Sequence, residues 1–148
     1  MGKNIISQAR GKGGPTYRAH SFRFKGRIKH KNPINQTTEG TVVDIIHCCG
    51  HSSPLACVKY EDEKTLLPAS EGMKVGDQIV AADDAPIKPG NTLPLKSLPE
   101  GTTIYNIEGT PGDGGKFIRA SGTFGKILSK TGNNVFPLLM VFHIPPEA

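Results

Sequence analysis

Cysteine is scarce in this sequence, and its positions do not form the even set that a disulfide framework needs. There are three cysteines: Cys48 and Cys49 are adjacent, and Cys57 is the third. An odd count with two neighbouring thiols excludes the paired spacing of small disulfide-stapled secreted domains. We therefore expect reduced thiols and a cytoplasmic protein.

Long hydrophobic runs are also lacking. The best apolar stretch, Val135–Ile144, is interrupted by Pro137. It is well short of the roughly 20 residues that a membrane-spanning helix needs. The sequence therefore predicts no membrane partner.

Acidic residues are absent from the first 31 positions, which instead hold nine lysines and arginines. Residues 32–148 contain the other nine basic residues and all 13 acidic ones, so their net charge is −4. Residues 1–36 are rich in glycine and poor in apolar side chains, which predicts an extended arm that cannot bury a core by itself. Such an arm orders on a negatively charged partner; the alternative is a soluble tail surrounded by counterions.

Cations and aromatic rings alternate along this arm, a pattern that suits RNA. The cations can approach phosphates, and the rings of Tyr17, Phe22 and Phe24 can stack on unpaired bases. The alternative for each ring is that it anchors the arm to the rest of the protein. The candidate phosphate contacts are Lys3, Arg10, Lys12, Arg18, Arg23, Lys25, Arg27 and Lys29.

Glycine and proline make up 30 of the 148 residues, which favours short strands over long helices. A first group of strands, with a hairpin tip at 61–63, predicts a small barrel, and a connector at 83–98 separates it from a second group. The predicted strands are 41–47, 55–60, 65–67 and 77–82, then 102–108, 116–120, 124–129 and 135–144. The predicted units are the arm (1–36), a first barrel (37–84), a second barrel (85–135) and a tail (136–148).

A cluster of thiols and imidazoles runs from His47 through Cys48 and Cys49 to His51. These residue types bind zinc, but adjacent cysteines seldom reach one tetrahedral ion, and no Cys-x-x-Cys pair is present. We predict a turn between two strands, with Cys57 buried in the second and no metal. A zinc-dependent module remains the alternative of a different class.

A glycine-rich loop at 111–116 resembles a phosphate-binding loop only at first sight. Phe117 stands where a P-loop needs serine or threonine, and a strand is predicted after it in place of a helix. The loop is still able to offer backbone N–H groups and Lys116 to a phosphate.

No nucleophile in the sequence has an obvious general base. His20 and His30 lie in the arm, and His143 lies in an apolar run. We therefore predict that the protein is not an enzyme and uses no cofactor and no small-molecule substrate.

Several longer motifs resemble one family, the universal large-subunit ribosomal protein number two in its archaeal or eukaryotic-like form. They are GTVVDIIH at 40–47, LLPASEGMKVGD at 66–77, IKPGNTLPLKSLPEGTTIYNIE at 87–108 and PGDGGKFIRASGT at 111–123, together with the arm. The resemblance implies an all-β fold with an oligonucleotide-binding-fold barrel followed by a partial SH3-like barrel. It also implies basic extensions that thread into ribosomal RNA.

The resemblance assigns roles to a few further residues. Lys64, Lys116 and Arg119 match basic positions that face RNA in the family. Where the family has Asp-Pro-Gly-Arg, this chain has Cys48-Cys49-Gly50-His51, so His51 replaces an arginine contact. Residues 136–148 do not match the family's Gly- and Arg-rich tail, and His143 does not map onto the family's functional histidine.

The function implied is that of a structural constituent of the large ribosomal subunit, located on cytoplasmic ribosomes. It would bind large-subunit ribosomal RNA and neighbouring ribosomal proteins, and support subunit association and the peptidyl transferase region. The alternative is a two-barrel module, like a translation factor, that binds RNA and visits the ribosome transiently.

Overall fold

The computed structural model describes residues 2–31, 37–131 and 134–141. Its regular structure is mostly β, with little helix, so the expectation of an all-β protein is confirmed at that level. The helical segments are α1 (Ile6–Gly11) and three single 3-10 turns, Pro15–Tyr17, Ser21–Arg23 and Leu95–Ser97. The strands are β1 (Thr38–Ile46), β2 (Leu55–Tyr60), β3 (Lys64–Pro68), β4 (Gln78–Ala81), β5 (Thr103–Ile104), β6 (Thr123–Thr131) and β7 (Asn134–Val141).

Four strands form an antiparallel sheet in the order β3-β2-β1-β4. Alternating apolar side chains of β1 and β2, such as Val42 and Val58, point into one core with Leu67 and Ile79. Full burial of one such side chain contributes about 1.5–3 kcal/mol. The predicted hairpin tip is confirmed, because Lys59 pairs with Lys64 across residues 60–63.

A second antiparallel sheet has the order β5-β6-β7 and packs Leu98, Ile104 and Ile127 into a smaller core. The strand predicted at 116–120 is wrong: only Phe117 forms an isolated bridge, to Ile107. The reason is the backbone, because Ile118 has a φ of 56° and cannot continue an extended strand. Residues 136–141 belong to β7, whereas 142–148, including His143, lie outside the described residues.

The Pro- and Gly-rich connector folds back onto β4 and does not run free. The side-chain oxygen of Asn91 accepts a hydrogen bond from the Val80 amide at 2.9 Å, and its NH2 group donates to the Pro86 carbonyl at 2.8 Å. Thr92 then forms a parallel bridge to Ala81. The connector therefore extends the first sheet at its β4 edge.

The predicted arm is not extended throughout, and it is partly buried against the rest of the chain. Residues 6–11 form a short helix, and Ile28 is buried at 2% exposure. Ile28 forms a parallel bridge with Leu66 of β3, and the next amide, Lys29, donates to the Leu66 carbonyl at 3.2 Å. Residues 28 and 29 of the arm thus lie along the edge of β3, and Leu66 supplies the apolar partner of Ile28.

Candidate nucleic-acid interface

The eight predicted phosphate contacts of the arm are all exposed. None of them forms an ion pair with a carboxylate in the described part of the chain. They are Lys3, Arg10, Lys12, Arg18, Arg23, Lys25, Arg27 and Lys29. Their charges are therefore available to an external anion.

Lys31, the ninth cation of the arm, behaves differently. Its ammonium lies 3.0 Å from a Glu63 carboxylate oxygen and 3.8 Å from one of Asp62, both at the tip of the β2–β3 hairpin. Lys31 is thus neutralised by the carboxylates of this hairpin and is not available to an external anion.

The three aromatic rings of the arm are used in different ways. Phe24 packs against Gly50 and lies with its ring centre 6.4 Å from that of His51, so it anchors the arm. Tyr17 and Phe22 are 49% and 78% exposed, and each has an arginine guanidinium near its ring. The anchoring interpretation thus fits Phe24, whereas Tyr17 and Phe22 stay candidates for stacking.

Two adjacent thiols attach the arm to the rest of the chain, from residue 37 onwards, which we call the body. Cys48 Sγ accepts a hydrogen bond from the Lys25 amide at 3.4 Å, and Cys49 Sγ donates to the Arg23 carbonyl at 3.7 Å. His51 Nδ1 lies 3.2 Å from Cys48 Sγ. We call Cys48, Cys49 and His51 the thiol clasp; it occupies the predicted turn between β1 and β2.

The thiol clasp does not extend to a metal-ligand set. No group of three or more histidine, cysteine, aspartate or glutamate side chains within the described residues is placed to hold a metal ion. Cys57, predicted to be buried, is partly exposed on β2. The zinc hypothesis thus finds no ligand set in this part of the chain.

The Lys25 amide lowers the pKa of the Cys48 thiol below its ordinary value of 9.0, against the opposing effect of burial. The amides of Gly50 and His51 and the charge of Lys25 add to this lowering. Because the folded-state pKa lies below the unfolded one, the clasp is strongest above pH 9. Its contribution disappears as the pH falls through the lowered pKa.

We expect Cys48→Ala to speed amide hydrogen exchange at Lys25, because that N–H loses its acceptor. Protection factors measured by NMR at several pH values check this, and the difference from the unchanged protein should grow as the pH rises. Cys57→Ala is the matched control and should leave Lys25 unchanged. Equal protection of Lys25 in all three proteins would contradict the clasp.

The glycine loop is held by its own carboxylates. Asp113 accepts hydrogen bonds from the amides of Gly109, Thr110 and Gly115 at 3.0–3.1 Å, and Glu108 accepts those of Gly112 and Gly114 at 3.0 Å. The expectation that the loop at 111–116 offers backbone N–H groups to a phosphate is therefore wrong for Gly112, Gly114 and Gly115. The sequence signal was an aspartate and a glutamate placed to cap a tight glycine turn.

Burial raises the pKa of Asp113, but the amides of Gly115, Thr110 and Gly109, together with the charge of Lys116, outweigh it and lower the pKa below 3.8. The stabilisation is therefore complete above pH 3.8 and is lost as the pH falls through the lowered value. We expect the NMR amide shifts of these three residues to titrate with a midpoint below 3.8. Asp113→Asn should abolish that titration, and a midpoint above 3.8 would contradict the assignment.

The three basic residues that the family resemblance assigns to RNA contact differ in exposure and in their partners. Lys64 is exposed, and Lys116 is exposed with its ammonium 3.5 Å from Asp113. Arg119 is partly buried and donates to the Gly115 carbonyl at 3.1 Å. Burial, and secondly the charge of Arg119, lower the pKa of His51, so its imidazole is neutral at pH 7 and does not replace an arginine's charge.

The arm also reaches the second half of the chain, which sequence reasoning missed. His30 Nε2 lies 2.5 Å from the Asn106 carbonyl oxygen, and the His30 amide donates to the Gly114 carbonyl at 3.3 Å. These contacts bring Lys29 against the glycine loop. A cavity of about 30 Å³ lies at this junction, lined by His30, Leu67, Asn106 and neighbours, and has room for a water molecule.

Within the described residues, no helix is long and apolar enough to cross a membrane.

The family model "Ribosomal Proteins L2, C-terminal domain" matches residues 88–140.

Large ribosomal subunit protein uL2 of Methanopyrus kandleri is 50% identical over 134 residues, which cover 87% of this chain and 55% of that protein. The uL2 of Methanothermobacter thermautotrophicus is 48% identical over 134 residues (87% and 56%). That of Methanosphaerula palustris is 46% identical over 137 residues (91% and 57%). The chain spans a little over half the length of these relatives. Identity at this level over nearly the whole chain confirms the resemblance of the motifs, and the chain belongs to the uL2 family of ribosomal proteins.

Proposed function

We propose that this chain is a structural, non-catalytic constituent of the large ribosomal subunit and binds large-subunit ribosomal RNA. The observation that carries the proposal is the arm: eight exposed cations that form no ion pair with a carboxylate among the described residues, followed by a body of net negative charge. A polycation that its own body does not neutralise has its strongest available partner in an array of phosphates. The relatives are named for the large ribosomal subunit, which supports the RNA of that subunit as the partner.

The arm would supply most of the RNA contacts, and the body would position the arm and add a few contacts of its own. The free part of the arm, before Arg23, would enter the RNA, and the docked residues 23–29 would present their exposed cations beside it. Each cation that meets a phosphate releases counterions. The docked part, held by Ile28 and the thiol clasp, fixes where the arm leaves the body. Lys64, Lys116 and Arg119 would add contacts from the body, of which Arg119 is already oriented by its bond to Gly115.

The finer assignments rest on the family. The first sheet would belong to an oligonucleotide-binding-fold barrel (37–84). The second would belong to a partial SH3-like barrel that begins at 85 and, with β7, extends past the predicted boundary at 135 to residue 141. On cytoplasmic ribosomes the chain would contact neighbouring ribosomal proteins, support subunit association and brace the peptidyl transferase region. The catalysis at that centre would belong to RNA.

A mobility-shift titration with large-subunit ribosomal RNA and bulk transfer RNA at moderate salt tests the proposal. We expect the ribosomal RNA to bind more tightly, because the body must add contacts beyond charge. Equal affinity for both RNAs would contradict the proposal.

Sedimentation separates a resident protein from a transient one. We expect the chain to remain with large subunits through a high-salt wash. Its release by the wash, with specific RNA binding preserved, would instead support the transient two-barrel module.

A further inference from the structure

Phe22 is the most exposed large apolar side chain of the described residues, at 78% exposure. It lies in the 3-10 turn Ser21–Arg23, which is closed by a hydrogen bond from the Phe24 amide to the Ser21 carbonyl at 3.0 Å. Such exposure means that the ring adds almost nothing to a core, whereas Phe24, two residues later, packs on Gly50. Folding therefore gives no reason for a phenyl ring at position 22.

The ring of Phe22 is nevertheless held in a defined arrangement. The His20 imidazole stacks on it with ring centres 5.2 Å apart and planes inclined by 22°, and the Arg23 guanidinium carbon lies 5.6 Å from the ring centre. Two planar groups and a cation are thus assembled before any ligand arrives. Stacking surfaces with an adjacent arginine are what proteins use to hold unpaired bases.

We propose that His20, Phe22 and Arg23 form a stacking platform for one unpaired nucleobase, with the Arg23 charge next to the phosphate of the same nucleotide. The proposal rests on the proposed function and narrows it: the arm would recognise a single-stranded position of the RNA, not only its charge. The occupant is a base because the platform is planar and lies among free cations. Any of the four bases fits, since each has a π face.

A stacking platform predicts tighter binding of single-stranded than of double-stranded RNA, whereas electrostatics alone predicts the reverse. The two can therefore be told apart by experiment. Duplexes carry the denser phosphate charge, and each contact has a salt slope of about 0.9 on duplex DNA against about 0.7 on single strands. A bare polycation therefore favours the duplex at low salt. A preference for the single strand requires a contribution that a paired base cannot make, and stacking on an exposed ring is such a contribution.

The test compares an oligoadenylate carrying one 2-aminopurine with the same strand paired to oligouridylate, using the full chain at fixed salt. We expect tighter binding of the single strand and quenching of the 2-aminopurine fluorescence. Phe22→Leu keeps an apolar side chain but no π face, and should lower single-strand affinity by about fivefold or more. Its duplex affinity should stay unchanged, and the quenching should be lost.

Phe24→Leu is the matched control, because it makes the same chemical change at a ring that packs on the body. It should keep the single-strand preference, and Phe22→Trp should keep both the preference and the quenching. The platform is refuted if the unchanged protein favours the duplex, or if both leucine variants lose equal affinity. Neither result would change the expected preference for ribosomal over transfer RNA. The proposed function is therefore tested separately from the platform.

Discussion

Replacing Arg18, Arg23, Lys25 and Arg27 together with alanine is expected to weaken binding to large-subunit ribosomal RNA by about a hundredfold at physiological salt. These side chains are exposed and form no ion pair in the described part of the chain. If each neutralises one phosphate, the slope of log K against log salt should become shallower by about 3. Filter-binding titrations at several salt concentrations give both quantities.

A control variant that loses four charges elsewhere shows whether the location of the cations in the arm matters, or only their number. Lys59, Lys74, Lys88 and Lys96 are exposed residues of the body, and their joint replacement removes the same four charges. We expect this variant to lose much less affinity and to keep a slope close to that of the unchanged protein. Equal losses in the two variants would show that general charge, and not the arm, carries the binding.

Gly115→Ala should produce the largest loss of stability from a single methyl group, about 2–4 kcal/mol in the free energy of unfolding. The added Cβ would overlap the side-chain amide of Asn106, whose Cγ would be only 2.8 Å away. Asn106 is 2% exposed, so any shift of its amide must be taken up within the packed interior, and Gly115 has a φ of 92°, which alanine tolerates poorly. Urea denaturation measures the effect.

Gly72→Ala isolates the backbone contribution. Gly72 has a similar φ of 76°, but an added Cβ would meet nothing within 4 Å. We expect a loss of about 1–2 kcal/mol from backbone strain alone. If Gly115→Ala cost no more than this, the overlap with Asn106 would be unimportant.

Strands with a regular alternation could be predicted from the sequence. β2 was predicted with its observed bounds, because Leu55–Tyr60 combines β-branched and apolar residues between clear turns. The segment 116–120 looked similar but carries Ile118 at positive φ. β-branched residues rarely adopt that conformation, so only the surrounding structure imposes it.

The charge of the candidate site could also be predicted, but its contacts could not. Exposure of the arm cations follows from composition. The partners that hold the arm and the loop do not, because Leu66 and Asn106 are far from Ile28 and His30 in sequence. The glycine loop was wrongly predicted for a related reason. Its motif suggests a phosphate site, whereas the Asp113 carboxylate accepts the hydrogen bonds of the Gly109, Thr110 and Gly115 amides.

The contacts of His30 with Asn106 and Gly114 bear on the order in which the chain folds during its synthesis. His30 is made before these two partners, which follow roughly 76 and 84 residues later. Contacts this distant form late, because closing such a loop has an entropic cost that only the finished partner repays. In a nascent chain the arm would therefore attach in two stages, first to the thiol clasp and β3 and only later to the glycine loop.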